Sequence, residues 1–206
     1  MFIQTQSPKI TGVASFTILY TLGFLALSLS RENYSALPYL ATQLALMVFV
    51  YIAHKRIHYA LPLLWSLSLL GLLNLAGGVI TLPSLNNGNE VIPYYLNDLW
   101  FLNEWFTYKT CVHVYGLGVI TWVNWQTLCN IIHSRYQRRL MPSTGLLLLV
   151  VTSAIGYGAI GEIAAYLFSL SFNPERVMDY GNACKNMTAN LCGALITSVI
   201  IKLRNL

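Results

Sequence analysis

Long apolar stretches of about 20 residues, separated by short polar segments, are the feature that most limits how this chain can fold. A helix needs about 20 mostly apolar residues to cross a hydrocarbon core of about 30 Å. A membrane-spanning strand would show alternating polar and apolar residues, which these stretches lack. We therefore expect an all-α fold, a single polytopic membrane helix bundle over residues 1–206. The six predicted transmembrane helices are Ile10–Ser30, Tyr34–Ala53, Tyr59–Leu82, Thr110–Ile132, Gly145–Ser171 and Cys184–Ile201.

Charged residues are scarce in this chain. They make up 9% of the 206 residues, against about 25% in ordinary soluble proteins, while hydrophobic residues reach 56%. This composition excludes a soluble enzyme domain, a disordered chain and a small disulfide-rich scaffold. The first apolar stretch, at about 20 residues, exceeds the usual 7–15 of a signal peptide, which favours a retained helix. Its cleavage would leave the other five predicted helices unchanged.

The basic residues concentrate on one predicted side of the membrane. Six crossings place eight basic residues and no acidic residue on the side of the termini: Lys9, Lys55, Arg56, Arg135, Arg138, Arg139, Lys202 and Arg204. The opposite side combines six acidic residues with four basic ones. The positive-inside rule then predicts that both termini lie in the cytoplasm. Together with the lack of an organelle signal, this basic face favours a plasma membrane. Basic residues at helix ends indicate membrane lipids as partners and no nucleic acid.

The segment Pro83–Lys109 is the one sizeable predicted connection outside the membrane. Asn97 and Asp98 can cap a short amphipathic helix that reaches Phe106, so we expect an outer interfacial helix here. Tyrosine and tryptophan prefer the headgroup region, which favours a membrane belt, and a substrate lid is the alternative. The aromatic residues of this segment include Tyr94, Tyr95, Trp100, Trp105 and Tyr108.

Glu162 is the one acidic residue inside a predicted transmembrane helix, and Lys185 falls at the outer end of the last predicted helix. Charged groups at the centre of a membrane helix cost roughly 2.5–3.5 kcal/mol on insertion scales, so each one suggests a function. Glu162 lies about four residues past the middle of its helix, or roughly 6 Å toward the outer side. A partner for its carboxyl group is therefore expected.

The last predicted helix offers polar partners for Glu162. Asn182, Asn186 and Asn190 recur every four residues and so lie within about 80° of one another around the helix. We expect a two-layer polar pocket that opens outward, with Glu162 and Asn190 in its lower layer. The upper layer would contain His113 and Asn186, with Lys185 as a further candidate. The predicted catalytic residues are Glu162 and His113, and the predicted binding residues are Asp179, Asn182, Lys185, Asn186 and Asn190.

Three segments of the C-terminal half resemble YjdF-type integral membrane proteins and, more loosely, VanZ-like proteins. They are Tyr108–Gly116 (YKTCVHVYG), Glu162 within GEIAAY, and Asp179–Ile196 (DYGNACKNMTANLCGALI). The family pattern has a histidine on one helix, a glutamate on the next, and an acidic stretch that leads into Asn and Gly-Ala-Leu on the last. His113, Glu162, Asn190, Gly193 and Ala194 match this pattern. The resemblance implies a prokaryotic inner membrane, and it carries no established reaction.

Two departures from this family pattern bear on chemistry. Asn182 and Asn186 stand where the family tends to have acids, and Lys109 replaces an acid ahead of His113. Amides neither give negative charge to a metal nor exchange protons near neutral pH. These departures weaken a metal-dependent or acid–base mechanism. We predict no metal site, and the sequence leaves the cofactor open.

Two further groups of residues have simpler interpretations. His54 and His58 are one helical turn apart, a spacing that can bind zinc, but they flank two basic residues at a helix end and more closely fit an interfacial anchor. Cys111 and Cys184 both fall at outer helix ends, which leaves a disulfide open.

Three functions remain open from the sequence. The first is binding or processing of a lipid or lipid-linked molecule at the outward-facing pocket. The second is a small transporter that uses Glu162 for proton or cation coupling, although the repeats typical of transporters are not evident. The third is a non-catalytic assembly protein whose polar residues specify helix packing, for which a helix-mediated oligomer is an open alternative. Whether the protein is an enzyme is undecided at this level.

Overall fold

The computed structural model describes residues 7–31, 33, 36–82, 94–101, 106–172 and 180–204. Nearly all of these residues are helical, so the all-α prediction is confirmed. The described α-helices are α1 (Ser7–Ser30), α2 (Leu37–Ile57), α3 (Leu61–Val79), α4 (Tyr108–Tyr136), α5 (Thr144–Phe172) and α6 (Tyr180–Arg204).

Five of these helices are long and apolar enough to cross a membrane, namely α1 over Ile10–Ser30, α2, α3, α5 over Thr144–Leu167, and α6. Helix α4 has 29 residues and is also long enough, but His113, Asn124, Gln126 and Asn130 make it more polar. By the length and composition of its helices, the chain is a multi-pass membrane protein. The sixth crossing stays a prediction.

Proline and backbone geometry fix the bounds of α2. The helix begins at Leu37, three residues later than predicted, because Pro38 is favoured in a first turn, where its missing N–H is not needed. It ends where His58 adopts the left-handed conformation (φ 57°) and donates its backbone N–H to His54 O (2.8 Å). His54 therefore belongs to the last turn, and His58 caps the helix.

Residues Met1–Lys109 form one compact unit, unit 1, in which α3 packs against α1 and α2. Buried polar groups join the three helices. Thr17 Oγ1 and Ser68 Oγ are 2.6 Å apart, and Tyr20 donates its hydroxyl to Ser68 O (2.9 Å). Gln43 Nε2 donates to the Tyr20 oxygen (2.9 Å) and lies directly against Gly71, where a Cβ would come within 2.6 Å of it.

A short antiparallel pair of strands follows α3 in unit 1. Strand β1 (Thr81–Leu82) pairs with β2 (Tyr94–Tyr95), and a 3-10 helix (Leu96–Asp98) follows. Asn97 lies against α3 at Gly77, where a Cβ would be 2.1 Å from the Asn97 oxygen Oδ1. The absence of a side chain at Gly77 therefore lets this segment rest directly on the end of α3.

The structure differs from the predicted outer interfacial helix in the part of that segment it describes. Asp98 accepts a hydrogen bond from Tyr95 N (3.3 Å) and closes a turn after three residues. Beyond it the chain turns back, because Trp100 and Thr107 form an isolated antiparallel bridge. Local side-chain bonding and strand pairing thus replace an α-helix at the described positions, and Trp105 lies outside them.

Residues Thr110–Leu206 form a second compact unit, unit 2, built from α4, α5 and α6. All three helices contribute to two apolar clusters. The first consists of Leu117, Val151, Ala154 and Ala194. The second consists of Trp125, Leu147, Val150 and Ile201. The sequence predicts a single domain, whereas the structure divides into these two compact units, and the single domain remains a prediction.

Candidate functional site

Four polar side chains from the three helices of unit 2 meet in one network. His113 on α4 hydrogen-bonds through Nδ1 to Asn190 Oδ1 on α6 (3.0 Å). The other ring nitrogen, Nε2, lies 3.7 Å from Glu162 Oε1 on α5. Asn186 on α6 donates from Nδ2 to the second carboxyl oxygen of Glu162, Oε2 (3.1 Å). We call these four residues the His–Glu network.

The network has an open edge and a closed interior. The side chains of His113 and Glu162 are 22% and 12% exposed, whereas Asn186 is 5% and Asn190 1% exposed. A molecule arriving at the network can therefore touch the imidazole and the carboxyl group. Asn190 lies behind them, where it holds the imidazole in place.

Two glycines allow the helices to approach closely enough for these contacts. A Cβ at Gly193 on α6 would lie 1.9 Å from Val114 O on α4, so α4 and α6 touch backbone to backbone beside His113. On α5, a Cβ at Gly158 would lie 2.8 Å from Asn190 Nδ2. Only hydrogen fits at Gly193, where the obstacle is backbone, and at Gly158 a larger residue would push the Asn190 side chain aside. The packing of small residues thus sets the spacing of the polar groups.

Two of the three regularly spaced asparagines of α6 belong to the network. Asn186 and Asn190 face the network, but Asn182, one turn earlier, is exposed and makes no recorded contact with it in the described part of the chain. Lys185 is half-buried and lies about 100° around the helix from Asn186. Asp179 lies outside the described residues.

The two predicted layers are one connected group. His113, expected in the upper layer, hydrogen-bonds to Asn190 of the lower layer. Glu162, expected in the lower layer, pairs with Asn186 of the upper layer. Spacing along the sequence predicts how far each residue lies from the end of its own helix. Which side chains meet also depends on how far each one reaches.

The other two groups of residues considered from the sequence are the histidine pair of α2 and a pair of cysteines. The rings of His54 and His58 are 6.3 Å apart, and no group of three or more histidine, cysteine or acidic residues that could hold a metal occurs among the described residues. Cys111 and Cys184 are free thiols.

Sequence reasoning missed several glycine contacts. On α5, a Cβ at Gly158 would have a close neighbour, whereas a Cβ at Gly156 or Gly161 would have none within 4 Å. Gly118 on α4 went unnoticed, although a Cβ there would be 2.8 Å from Thr197 Oγ1. A glycine in an apolar helix is the sequence feature that marks such a contact. It does not by itself show whether that face of the helix packs against another helix.

The polar cluster of unit 1 was also missed. Its members are hydroxyl and amide side chains within apolar helices, and none is an acid or a base near neutral pH: Thr17, Tyr20, Gln43 and Ser68. Such groups fasten helices by hydrogen bonds. The His–Glu network of unit 2 differs because it contains an imidazole and a carboxyl group.

Compared with protein-family models, with characterised proteins and with solved structures, the chain gives no match. The resemblance of the C-terminal half to YjdF-type and VanZ-like proteins therefore stays a prediction.

Proposed function

We propose that the chain binds or processes a lipid or lipid-linked molecule at the His–Glu network, with Glu162 and His113 as the groups that touch it. The observation that carries this proposal is a partly exposed imidazole–carboxyl pair held by two buried asparagines. Asparagine bonds alone would suffice to fasten the helices, as hydroxyl and amide groups do in unit 1. An acid and a base at the open edge add the ability to hold and move a proton.

Hydrogen-bond bookkeeping at His113 supports a shared proton. Asn190 Oδ1 can only accept, so His113 Nδ1 carries a hydrogen. In a neutral imidazole Nε2 is then an acceptor, and it faces Glu162 Oε1 at 3.7 Å. A proton placed between Nε2 and Oε1 would join the two groups. A pair in that state can give the proton to a bound molecule and take it back.

The apolar packing beside the network favours binding over conduction. Leu117 follows His113 by one turn on α4, and Ala194 follows Asn190 by one turn on α6, and both belong to a buried apolar cluster. The hydroxyl of Thr121, one turn further along α4, donates to Leu117 O of its own helix (2.6 Å). The network is therefore bounded on that side by apolar side chains, as expected for a site that is entered from one end.

The proposed setting is a plasma membrane, prokaryotic by the family resemblance, with both termini in the cytoplasm. The support is the distribution of basic residues at the helix ends. In this orientation the His–Glu network lies in the outer half of unit 2, near the start of α4 and α6 and toward the end of α5.

The test compares lipids that co-purify with the full-length protein. Wild type, Glu162→Gln, His113→Ala and the exposed control Asn182→Ala are purified in parallel in a mild detergent, and their bound lipids are extracted and quantified by mass spectrometry. Glutamine at position 162 can still accept the bond from Asn186 but cannot hold a proton. We expect at least one lipid species to be retained by wild type and the control and depleted roughly tenfold in the two network variants, the equivalent of about 1.4 kcal/mol. Identical lipid profiles in all four proteins would refute the proposal.

A second candidate is a non-catalytic assembly protein. It is favoured by the way the same contacts tie α4, α5 and α6 together. It predicts that Glu162→Gln and His113→Ala lower thermal stability while the lipid profile and the sensitivity of cells to envelope-directed drugs stay at wild-type values. Loss of bound lipid at unchanged stability would exclude it.

A further inference from the structure

The end of unit 2 opposite to the His–Glu network carries exposed basic side chains. Gln137 adopts a left-handed conformation (φ 53°) and donates its backbone N–H to His133 O (2.9 Å), which ends α4. The chain then leaves the helix axis before it enters α5. The exposed basic residues here, which we call the basic rim, are Arg135, Arg138, Arg139, Lys202 and Arg204.

Packing brings the parts of the basic rim together. Leu140, next to the two arginines of the connection, packs against the apolar cluster that includes Ile201 of α6. Lys202 follows Ile201 and donates from Nζ to Thr144 Oγ1 at the start of α5 (3.4 Å). The end of α6 and the connection between α4 and α5 therefore lie side by side.

The charge of the basic rim is not balanced by the chain nearby. The sequence has no acidic residue between Glu104 and Glu162, and none after Asp179. In the described part of unit 2, the ion pair recorded is that of His113 with Glu162, at the other end. Five like charges gathered at one end of unit 2 repel one another, so a countercharge from outside this unit would stabilise them.

Large apolar side chains are interleaved with these charges. Tyr136 is 67% exposed, Met141 64% and Leu203 78%. Side chains of this type, beside arginine and lysine, are typical of the zone where headgroups meet acyl chains. A free anion or a nucleic acid would use the charges and leave these apolar groups in water, whereas a phospholipid satisfies both.

We propose that the basic rim binds anionic phospholipids, with arginine and lysine on their phosphate groups and the interleaved apolar side chains against their acyl chains. This site is separate from the His–Glu network and does not depend on the function proposed there. It assigns a specific lipid contact to the end of unit 2 where α4 and α6 end.

The experiment uses the full-length protein and phosphatidylglycerol as the probe, titrated into phosphatidylcholine nanodiscs, with native mass spectrometry to count bound molecules. The test variant is Arg138→Gln with Arg139→Gln. A matched control, Lys55→Gln with Arg56→Gln, removes the same charge from the end of α2 in unit 1. Each basic residue contributes about fivefold to the affinity for anionic lipid, so the test variant, which lacks two, should bind phosphatidylglycerol roughly 25-fold more weakly. The control should lose much less affinity.

A lysine variant and competition with inorganic phosphate distinguish a specific lipid site from general attraction of anionic lipid to positive charge. Arg138→Lys with Arg139→Lys should keep most of the affinity, and added inorganic phosphate should fail to displace the lipid. Equal losses in the test and control variants would mean that net charge alone attracts lipid and would overturn the proposal. So would complete displacement by inorganic phosphate, because the apolar side chains would then contribute nothing.

Discussion

The contact between α4 and α6 gives the most direct prediction. In Gly193→Ala the new Cβ would start 1.9 Å from Val114 O, whereas real Cβ contacts below 3.0 Å essentially do not occur. The obstructing atom is a backbone oxygen, so no side-chain rotation can relieve the overlap. The two helices must move apart by about 1 Å.

That movement has two energetic consequences. Overpacking of a tightly packed contact destabilises by about 1–3 kcal/mol, and a backbone obstacle places this case toward the upper end. The His113–Asn190 hydrogen bond, 3.0 Å long and one residue away from Val114, would stretch beyond 3.5 Å and forfeit about 0.6 kcal/mol. Alanine regains up to about 1 kcal/mol in helix propensity. The net loss in the free energy of unfolding should be about 2–3 kcal/mol.

The assay is reversible unfolding of the purified protein in mixed micelles, with Gly156→Ala as the matched control. A Cβ at Gly156 meets nothing within 4 Å, so this variant should be neutral or up to about 1 kcal/mol more stable. The lipid that co-purifies with wild type should also decline in Gly193→Ala, because the imidazole is displaced. Equal stability of the two variants would show that α4 and α6 are not in backbone contact and would refute the reasoning.

Three further outcomes are expected. Asn190→Ala should destabilise by about 1–3 kcal/mol in the same unfolding assay, because it removes the buried amide that accepts the hydrogen bond from His113 Nδ1; a change within about 0.5 kcal/mol would contradict this. Gln43→Leu should change stability by less than about 1 kcal/mol, because Gln43 Oε1 is buried without a hydrogen-bond partner and Tyr20 keeps its bond to the α3 backbone; a larger loss would assign the amide a role not evident in its contacts. Cys184, an exposed thiol in the second turn of α6, should react with a membrane-impermeant maleimide in intact cells; labelling only after permeabilisation would reverse the predicted orientation.

The helices could be located from sequence because their cause is local. An apolar stretch of about 20 residues has one favourable state in lipid, with every backbone hydrogen bond made inside the segment. Prediction and structure therefore agree on the existence of these helices, and they disagree mainly at the ends. The predicted fourth helix, Thr110–Ile132, lies within α4, which extends to Tyr136 beyond the apolar stretch.

The outer segment and the arrangement of the His–Glu network were less predictable. The amphipathic pattern after Asn97 fits a helix, but Asp98 bonds back to Tyr95 and Trp100 pairs with Thr107, contacts that a helical pattern does not reveal. On α6, equal spacing of three asparagines gave no means to separate Asn182, which is exposed, from Asn190, which is buried. Burial depends on neighbouring helices, and spacing along one helix contains no information about them.

The sequence by itself determined that this is a helical membrane chain and that Glu162 is the one acidic residue within its predicted transmembrane helices. The free energy of transferring apolar and charged groups into lipid depends on residue type alone. The tertiary structure decided that His113 reaches both Asn190 and Glu162, and that Gly193 and Gly158 leave room for these contacts. Contacts between helices depend on rotation and spacing, and a single side chain of the wrong size at a crossing would change both.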